Sequence, residues 1–250
     1  MAVVVLVHGA WQSAATWDLV VPRLQTGGCD VHAPLLTGLG SAAGELTPGI
    51  TLDTHIGDVV RLIERQDLAD VTLVGHSYAG MIITGVAERA RARLARLVYV
   101  DAFVPDDGQS ALELLPPQIQ TMFRDQANAE PDGFRLRAGE RQLDLWGLEE
   151  GPAREFVRSR LCDFSINCFE QPVTLATSAA AKLDRTYIAC VGDGYPAKVA
   201  FDPFAARARA EGWRYHELAT GHDCHVEMPD AFSGLLTSLM HDKSGVSRRD

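Results

Sequence analysis

The residues best able to do chemistry stand in Gly75-His76-Ser77-Tyr78-Ala79-Gly80, between the apolar run Val71–Val74 and an Ala- and Ile-rich stretch. A serine set between a strand and a helix, with small residues two places before and after, is held in a tight turn that lifts its hydroxyl clear of the backbone. The second small position is Ala79 rather than glycine, and Gly80 falls one place too far along to restore the spacing. A hydroxyl is a weak nucleophile at neutral pH, so it needs a base, and the base needs an acid to fix its tautomer. His222, in Ala219-Thr220-Gly221-His222-Asp223, is the candidate base. Asp193, in Val191-Gly192-Asp193-Gly194, is the favoured acid, and Asp101 is its rival. Attack on a carbonyl builds charge on oxygen, and preorganised backbone N–H groups must meet it. The turn His8-Gly9-Ala10-Trp11 and the residue after the serine offer two such donors, the N–H groups of Ala10 and Tyr78.

Each of these residues also has a plainer reading. Ser77 would serve as a helix N-cap, and an aspartate between two glycines is common turn chemistry. His8 and His76 read as braces for their turns. His225 and Cys224 follow the candidate base closely, but the string His222-Asp223-Cys224-His225 has no helix-spaced or ribbon-type partner, so no metal is expected. The arginines at 89, 91, 93 and 96 read as a solvated face.

The elements that must position these groups follow from pattern. Val3–Val7, Cys29–Ala33, Val71–Val74 and Leu97–Val100 read as strands, the most apolar of them buried on both faces. Helices are expected over 14–25, from Leu52 on, and over 78–91, which gives a β-α-β-α-β-α-β order and a parallel sheet. The sheet pattern resumes at Thr186–Val191 and Trp213–Leu218 and closes with a helix from about Pro229 to Met240. Between the two parts, residues 105–182 hold helix-like pieces broken by Pro116-Pro117, Pro131-Asp132-Gly133 and Gly151-Pro152. That is too long for a plain loop, so the chain is expected to be one α/β domain, with core 1–104 and 183–240, a lid inserted at 105–182 and a frayed polar tail at 241–250. The aromatics of the insertion, Phe123, Phe134, Trp146, Phe156, Phe164 and Phe169, should form its core and part of a pocket wall.

Composition narrows the partners. A net charge of −10 and a pI near 5.2 argue against a phosphate-binding surface and hence against nucleic acid. The opening MAVVVLV lacks a basic region before its short apolar run, so it does not read as a signal peptide. No apolar stretch reaches the ~18–20 residues of a membrane span. Five cysteines, without close pairing, read as reduced thiols of a cytoplasmic protein.

Five stretches, LVHGAW, VTLVGHSYAG, LVYVDAFVPDDGQS, TYIACVGD and TGHDCHVEMPDAF, give the chain its resemblance to the plant methylesterase and hydroxynitrile lyase group of α/β-hydrolases. The order Ser77…Asp193…His222 is the nucleophile–acid–base order of that fold. The resemblance implies an α/β-hydrolase fold with an inserted helical lid, Ser77 as nucleophile, His222 as base, Asp193 as acid, and Ala10 with Tyr78 as oxyanion donors. It implies no metal or organic cofactor. The lyase branch of the group carries Thr after the His of the first loop and Lys after the catalytic His; here Gly9 and Asp223 stand there, as on the esterase side. The expected reaction is hydrolysis of the carboxylic ester of a small apolar or aromatic molecule through an acyl-enzyme. Its alternatives are elimination, cyclisation, rearrangement or lyase chemistry on the same residues, and ligand binding without catalysis.

Overall fold

The computed structural model describes residues 1–241, so the expected tail beyond His241 lies outside the described residues. Six strands form the central sheet, and every pairing among them is parallel. They are β1 (Ala2–Val7), β2 (Cys29–His32), β3 (Val71–His76), β4 (Leu94–Val100), β7 (Asp184–Cys190) and β8 (Arg214–Leu218), in the order β2-β1-β3-β4-β7-β8. Two short strands, β5 (Arg135–Leu136) and β6 (Phe164–Ser165), pair apart from it as an antiparallel ribbon.

Successive side chains of a strand point to opposite faces. Val5 and Val7 of β1 and Leu97 and Tyr99 of β4 therefore join one apolar layer, while Val4, Leu6, Val98 and Val100 join the other. Both layers are buried, which is why these strands are continuous apolar runs instead of alternating ones. Helices α2 (Leu52–Arg65) and α3 (Ala79–Ala90) cover the first face. α1 (Val21–Thr26) and α10 (Pro229–His241) cover the second. The insertion carries α4 (Pro117–Ala129), α5 (Glu140–Leu145), α6 (Pro152–Arg158) and α7 (Ile166–Glu170). α8 (Lys198–Ala210) and the short α9 (Cys224–Glu227) complete the order.

Several boundaries differ from expectation for local reasons. The helix expected over 14–25 is a 3-10 turn, Ala14–Leu19, followed by α1, with Pro22 in the first turn of α1. Proline has no N–H to continue the earlier turn, so the two pieces do not fuse. α8, absent from the expected elements, forms across Pro203 because Ala200, Phe201, Phe204 and Ala208 bury one face. Arg96 does not belong to a solvated face: it lies on β4, is only 8% exposed, and its guanidinium donates to the Leu239 carbonyl.

After β1 the chain fills the β2 position on one side, then crosses to β3 on the other. Ligands of open α/β sheets bind outside the carboxyl ends of strands at such a switch. The His8 turn and the Ser77 turn end β1 and β3 at this place.

Close backbone approach sets the spacing there. A Cβ on Gly80 would lie 1.9 Å from the Phe103 carbonyl oxygen, so the tight contact at the start of α3 falls at Gly80, beyond Ala79. Gly80→Ala should destabilise the fold by about 2–3 kcal/mol through forced backbone displacement. Gly234→Ala, in α10 with nothing within 4 Å of the added carbon, should gain up to about 1 kcal/mol. Urea unfolding midpoints of the two variants test the contrast.

Candidate active site

Ser77 occupies the turn between β3 and α3 with φ 58°, a left-handed conformation unusual for a residue with a side chain. Its backbone is fixed on both sides: the N–H donates to the Val100 carbonyl at 3.0 Å, and its carbonyl accepts from Gly80 and Phe103. The helix cap is Tyr78, so the plainer reading of Ser77 as an N-cap does not hold. A Cβ on Gly9 would come within 2.9 Å of the Ser77 Cβ, so only glycine lets the first loop lie against the serine.

Ala10 and Tyr78 directly follow the two residues of this contact. Both residues are buried, and among the described residues neither N–H has a hydrogen-bond acceptor. Buried backbone donors are nearly always paired, so two unpaired ones that directly follow Gly9 and Ser77 suit an oxygen that acquires charge.

His222 lies on the loop after β8, its N–H donating to the Trp146 carbonyl at 2.9 Å and its ring stacked on Phe201 at 4.6 Å. His222 Nδ1–H donates to Asp101 Oδ2 at 2.6 Å, and both side chains are almost wholly buried. This corrects the expected acid: the carboxylate on His222 belongs to Asp101, not Asp193. Asp101 directly follows β4, and its N–H continues the ladder to the Ile188 carbonyl at 2.8 Å, which carries its side chain under the histidine. Asp193 lies on an exposed turn, because the chain bends away after Gly192 bonds to the Thr220 carbonyl.

The residue of that turn which does reach the site is Tyr195. Its hydroxyl donates to Asp101 Oδ2 at 2.8 Å, while the Cys190 N–H donates to Oδ1 at 3.3 Å. With His222, three donors hold one buried carboxylate. Trp11 (φ 59°), Ser77 and Asp101 (φ 41°) all have left-handed backbone; Ser77 and Asp101 directly follow β3 and β4, and Trp11 lies in the loop after β1. Such conformations cost about 1–3 kcal/mol each and persist where the surroundings over-determine them.

Ser77 and His222 open into one cavity of about 120 Å³. Its walls are mainly apolar: Trp11, Phe103, Leu115, Ile119, Phe123, Trp146, Phe169 and Phe201. The insertion supplies many of these, together with Gln126, Arg141 and Gln142. Of the expected aromatics, Phe123, Trp146 and Phe169 face the cavity; Phe134 and Phe164 are core, and Arg160 covers the ring of the half-buried Phe156.

The remaining polar groups are braces. His8 Nδ1–H donates to the Gly9 carbonyl, and His76 Nε2–H donates to the His222 carbonyl, each at 3.0 Å. His55 receives the Tyr78 hydroxyl at 3.3 Å and donates to the Thr37 carbonyl at 3.0 Å. Asp223 does not line the cavity; its Oδ1 accepts from Gln12 Nε2 at 2.6 Å. The thiols of Cys29, Cys162, Cys168, Cys190 and Cys224 are all free.

Burial lowers the pKa of His8 to about 4, and burial likewise lowers His55. The unfolded chain therefore binds more protons than the folded one below the ordinary histidine value. Stability from these groups is complete above pH 6.5 and falls as pH drops toward 4, by up to about 1.4 kcal/mol per pH unit for each histidine. Urea unfolding at pH 7.5 and 5 should show that loss, and His55→Leu should flatten it.

The alpha/beta hydrolase family profile matches residues 4–235. The carbendazim hydrolyzing esterase of Nocardioides sp. (strain SG-4G) is 35% identical over 258 residues, spanning 96% of this chain and 100% of its own. The alpha-hydroxynitrile lyase of Arabidopsis thaliana is 30% identical over 158 residues, 63% of this chain and 58% of its own. Among solved structures, an extracellular alpha/beta-hydrolase from a Paenibacillus species superposes with a TM-score of 0.85 at 21% identity, covering 97% of this chain and 100% of that one. The parallel sheet, the serine turn after β3 and a match along nearly the whole length lead to one assignment: this chain belongs to the alpha/beta hydrolase family.

Proposed function

We propose that the chain hydrolyses carboxylic esters of small apolar or aromatic molecules through an acyl-enzyme on Ser77. The observation that carries this reading is the buried bond from His222 to Asp101 in a histidine that shares an apolar cavity with Ser77. The whole-length relative that hydrolyses carbendazim supports an ester-type substrate of modest size.

In this mechanism Ser77 Oγ attacks the ester carbonyl while His222 Nε2 takes its proton. The carbonyl oxygen becomes an oxyanion and accepts hydrogen bonds from the N–H groups of Ala10 and Tyr78. The tetrahedral adduct collapses as His222 returns the proton to the departing alkoxide. Water then gives a proton to His222, attacks the acyl carbon and frees Ser77 and the acid. Asp101 holds Nδ1 protonated so that Nε2 presents its lone pair, and it stabilises the imidazolium between the two proton transfers. The insertion at 105–182 acts as a lid whose side chains select the acyl and alcohol groups. Five free thiols support a reducing, cytoplasmic setting, and among the described residues no helix is long and apolar enough to cross a membrane.

With a panel of activated and aromatic methyl esters, Ser77→Ala should abolish turnover. Asp101→Asn should lower kcat by about 10⁴, because the amide favours the wrong tautomer, while Asp193→Asn stays within about threefold of the parent. Retained activity in Ser77→Ala would sink the proposal. Tyr195→Phe removes one of three donors to the carboxylate and should lower kcat by about tenfold at unchanged KM. Solvent oxygen incorporated into the released acid separates hydrolysis from elimination or lyase chemistry.

A further inference from the structure

Behind the candidate active site lies a second constellation that the esterase mechanism does not use. In sequence, His222-Asp223-Cys224-His225 lacks a further ligand nearby; the fold supplies one, His76, the last residue of β3. One donor atom from each of His76, Asp223 and His225 lies within 4.8 Å of the others, and all three residues are buried.

The hydrogen bonds fix what each group presents. His76 gives its Nε2–H to the His222 carbonyl, so its Nδ1 carries a bare lone pair, and that nitrogen has no partner. Asp223 Oδ1 accepts from Gln12, while Oδ2 has no partner. Neither ring nitrogen of His225 is hydrogen-bonded; Asp223 Oδ1, the oxygen that accepts from Gln12, stands 3.9 Å from Nε2. These are unpaired polar atoms on side chains that are at most 1% exposed, an arrangement that costs about 1–3 kcal/mol per atom when left unmet. A water molecule would meet the hydrogen bonds alone, whereas a cation would take up the lone pairs and also balance the carboxylate. Among the described residues, the only basic side chain within ion-pair distance of Asp223 is His225, and a buried carboxylate facing imidazoles and one amide calls for a cation.

We infer that His76, Asp223 and His225 bind one divalent transition-metal ion of the zinc class through two imidazole nitrogens and one carboxylate oxygen. Nitrogen-rich donors select zinc, cobalt, nickel or copper over magnesium or calcium. The outer contacts match such a site: a ligating histidine usually gives its other N–H to a carbonyl, and a ligating carboxylate is itself hydrogen-bonded. With metal–ligand distances of about 2.0–2.2 Å, tetrahedral donors stand about 3.3–3.6 Å apart, so donor separations of up to 4.8 Å close by up to about 1.5 Å on binding. None of the three lines the cavity, so the ion takes no part in ester cleavage. Its place is between the loops: His76 directly precedes Ser77, and Asp223 directly follows His222. The ion therefore ties the nucleophile turn to the base loop, and this holds whether or not the substrate is an ester.

Tag-free full-length protein, produced with zinc in the medium and then exchanged into zinc-free buffer, should retain about one zinc per chain by elemental analysis. Refolding with cobalt should give the visible absorption of a four- or five-coordinate Co²⁺ ion. Asp223→Asn keeps the shape and the Gln12 contact, and His225→Phe fills the volume; each should lower retained zinc at least about tenfold and abolish the zinc-dependent rise in Tm. A wild type holding less than about a tenth of an equivalent, as expected if water occupies the site, overturns the inference. So does equal zinc in wild type and both variants. The wild-type content decides the matter even if a variant folds poorly.

Discussion

A buried carboxylate is tolerated only when donors surround it, and Asp101 meets that condition with three: the His222 ring, the Tyr195 hydroxyl and the Cys190 N–H. Each donor comes from a different part of the chain beyond β4, so satisfying this one charge brings the end of β7, the turn beyond it and the loop after β8 to one point. The histidine loop cannot shift without stripping a donor from the carboxylate. The left-handed backbone of Asp101 is the cost of aiming its side chain inward from a strand end.

The sheet makes this placement rigid. Its central strands are packed on both faces, so the strand ends that carry Ser77 and Asp101 are anchored by two apolar layers. The insertion contributes the aromatic walls and reaches back through single contacts, such as the Trp146 carbonyl on the His222 N–H and the Leu136 carbonyl on the Trp11 indole. The reacting side chains thus stand on the sheet scaffold, while the insertion supplies much of the cavity wall and shares it with Trp11, Phe103 and Phe201 of the scaffold. This division allows one reaction centre to serve different substrates as the wall changes.

Much of the architecture was legible in the sequence because it rests on local pattern. Continuous apolar runs marked the buried strands, and the broken stretch 105–182 marked the insertion. The serine turn, His222 and the turns that carry the Ala10 and Tyr78 N–H groups also follow from short motifs, and Ser77 and His222 line one cavity. The acid was misread because two aspartates end neighbouring strands, and sequence does not show which strand end turns inward. Asp193 sits in the more motif-like turn, but the chain leaves the site at Gly192 and returns with Tyr195, a residue no motif singled out. The pairing of His76 with Asp223 and His225 was equally hidden, since it joins residues far apart in sequence through sheet geometry. α8 is hard to read from pattern because Pro203 stands inside it, and burial of Ala200, Phe201, Phe204 and Ala208 decides its structure.

The central claim is that Asp101 holds the proton on His222 Nδ1. Proton NMR in water tests it most directly, through the strongly downfield resonance of a histidine N–H shared with a buried carboxylate. The account predicts that resonance in the parent and in Asp193→Asn, and its loss in Asp101→Asn. Its persistence in Asp101→Asn, with loss in Asp193→Asn, would contradict the account.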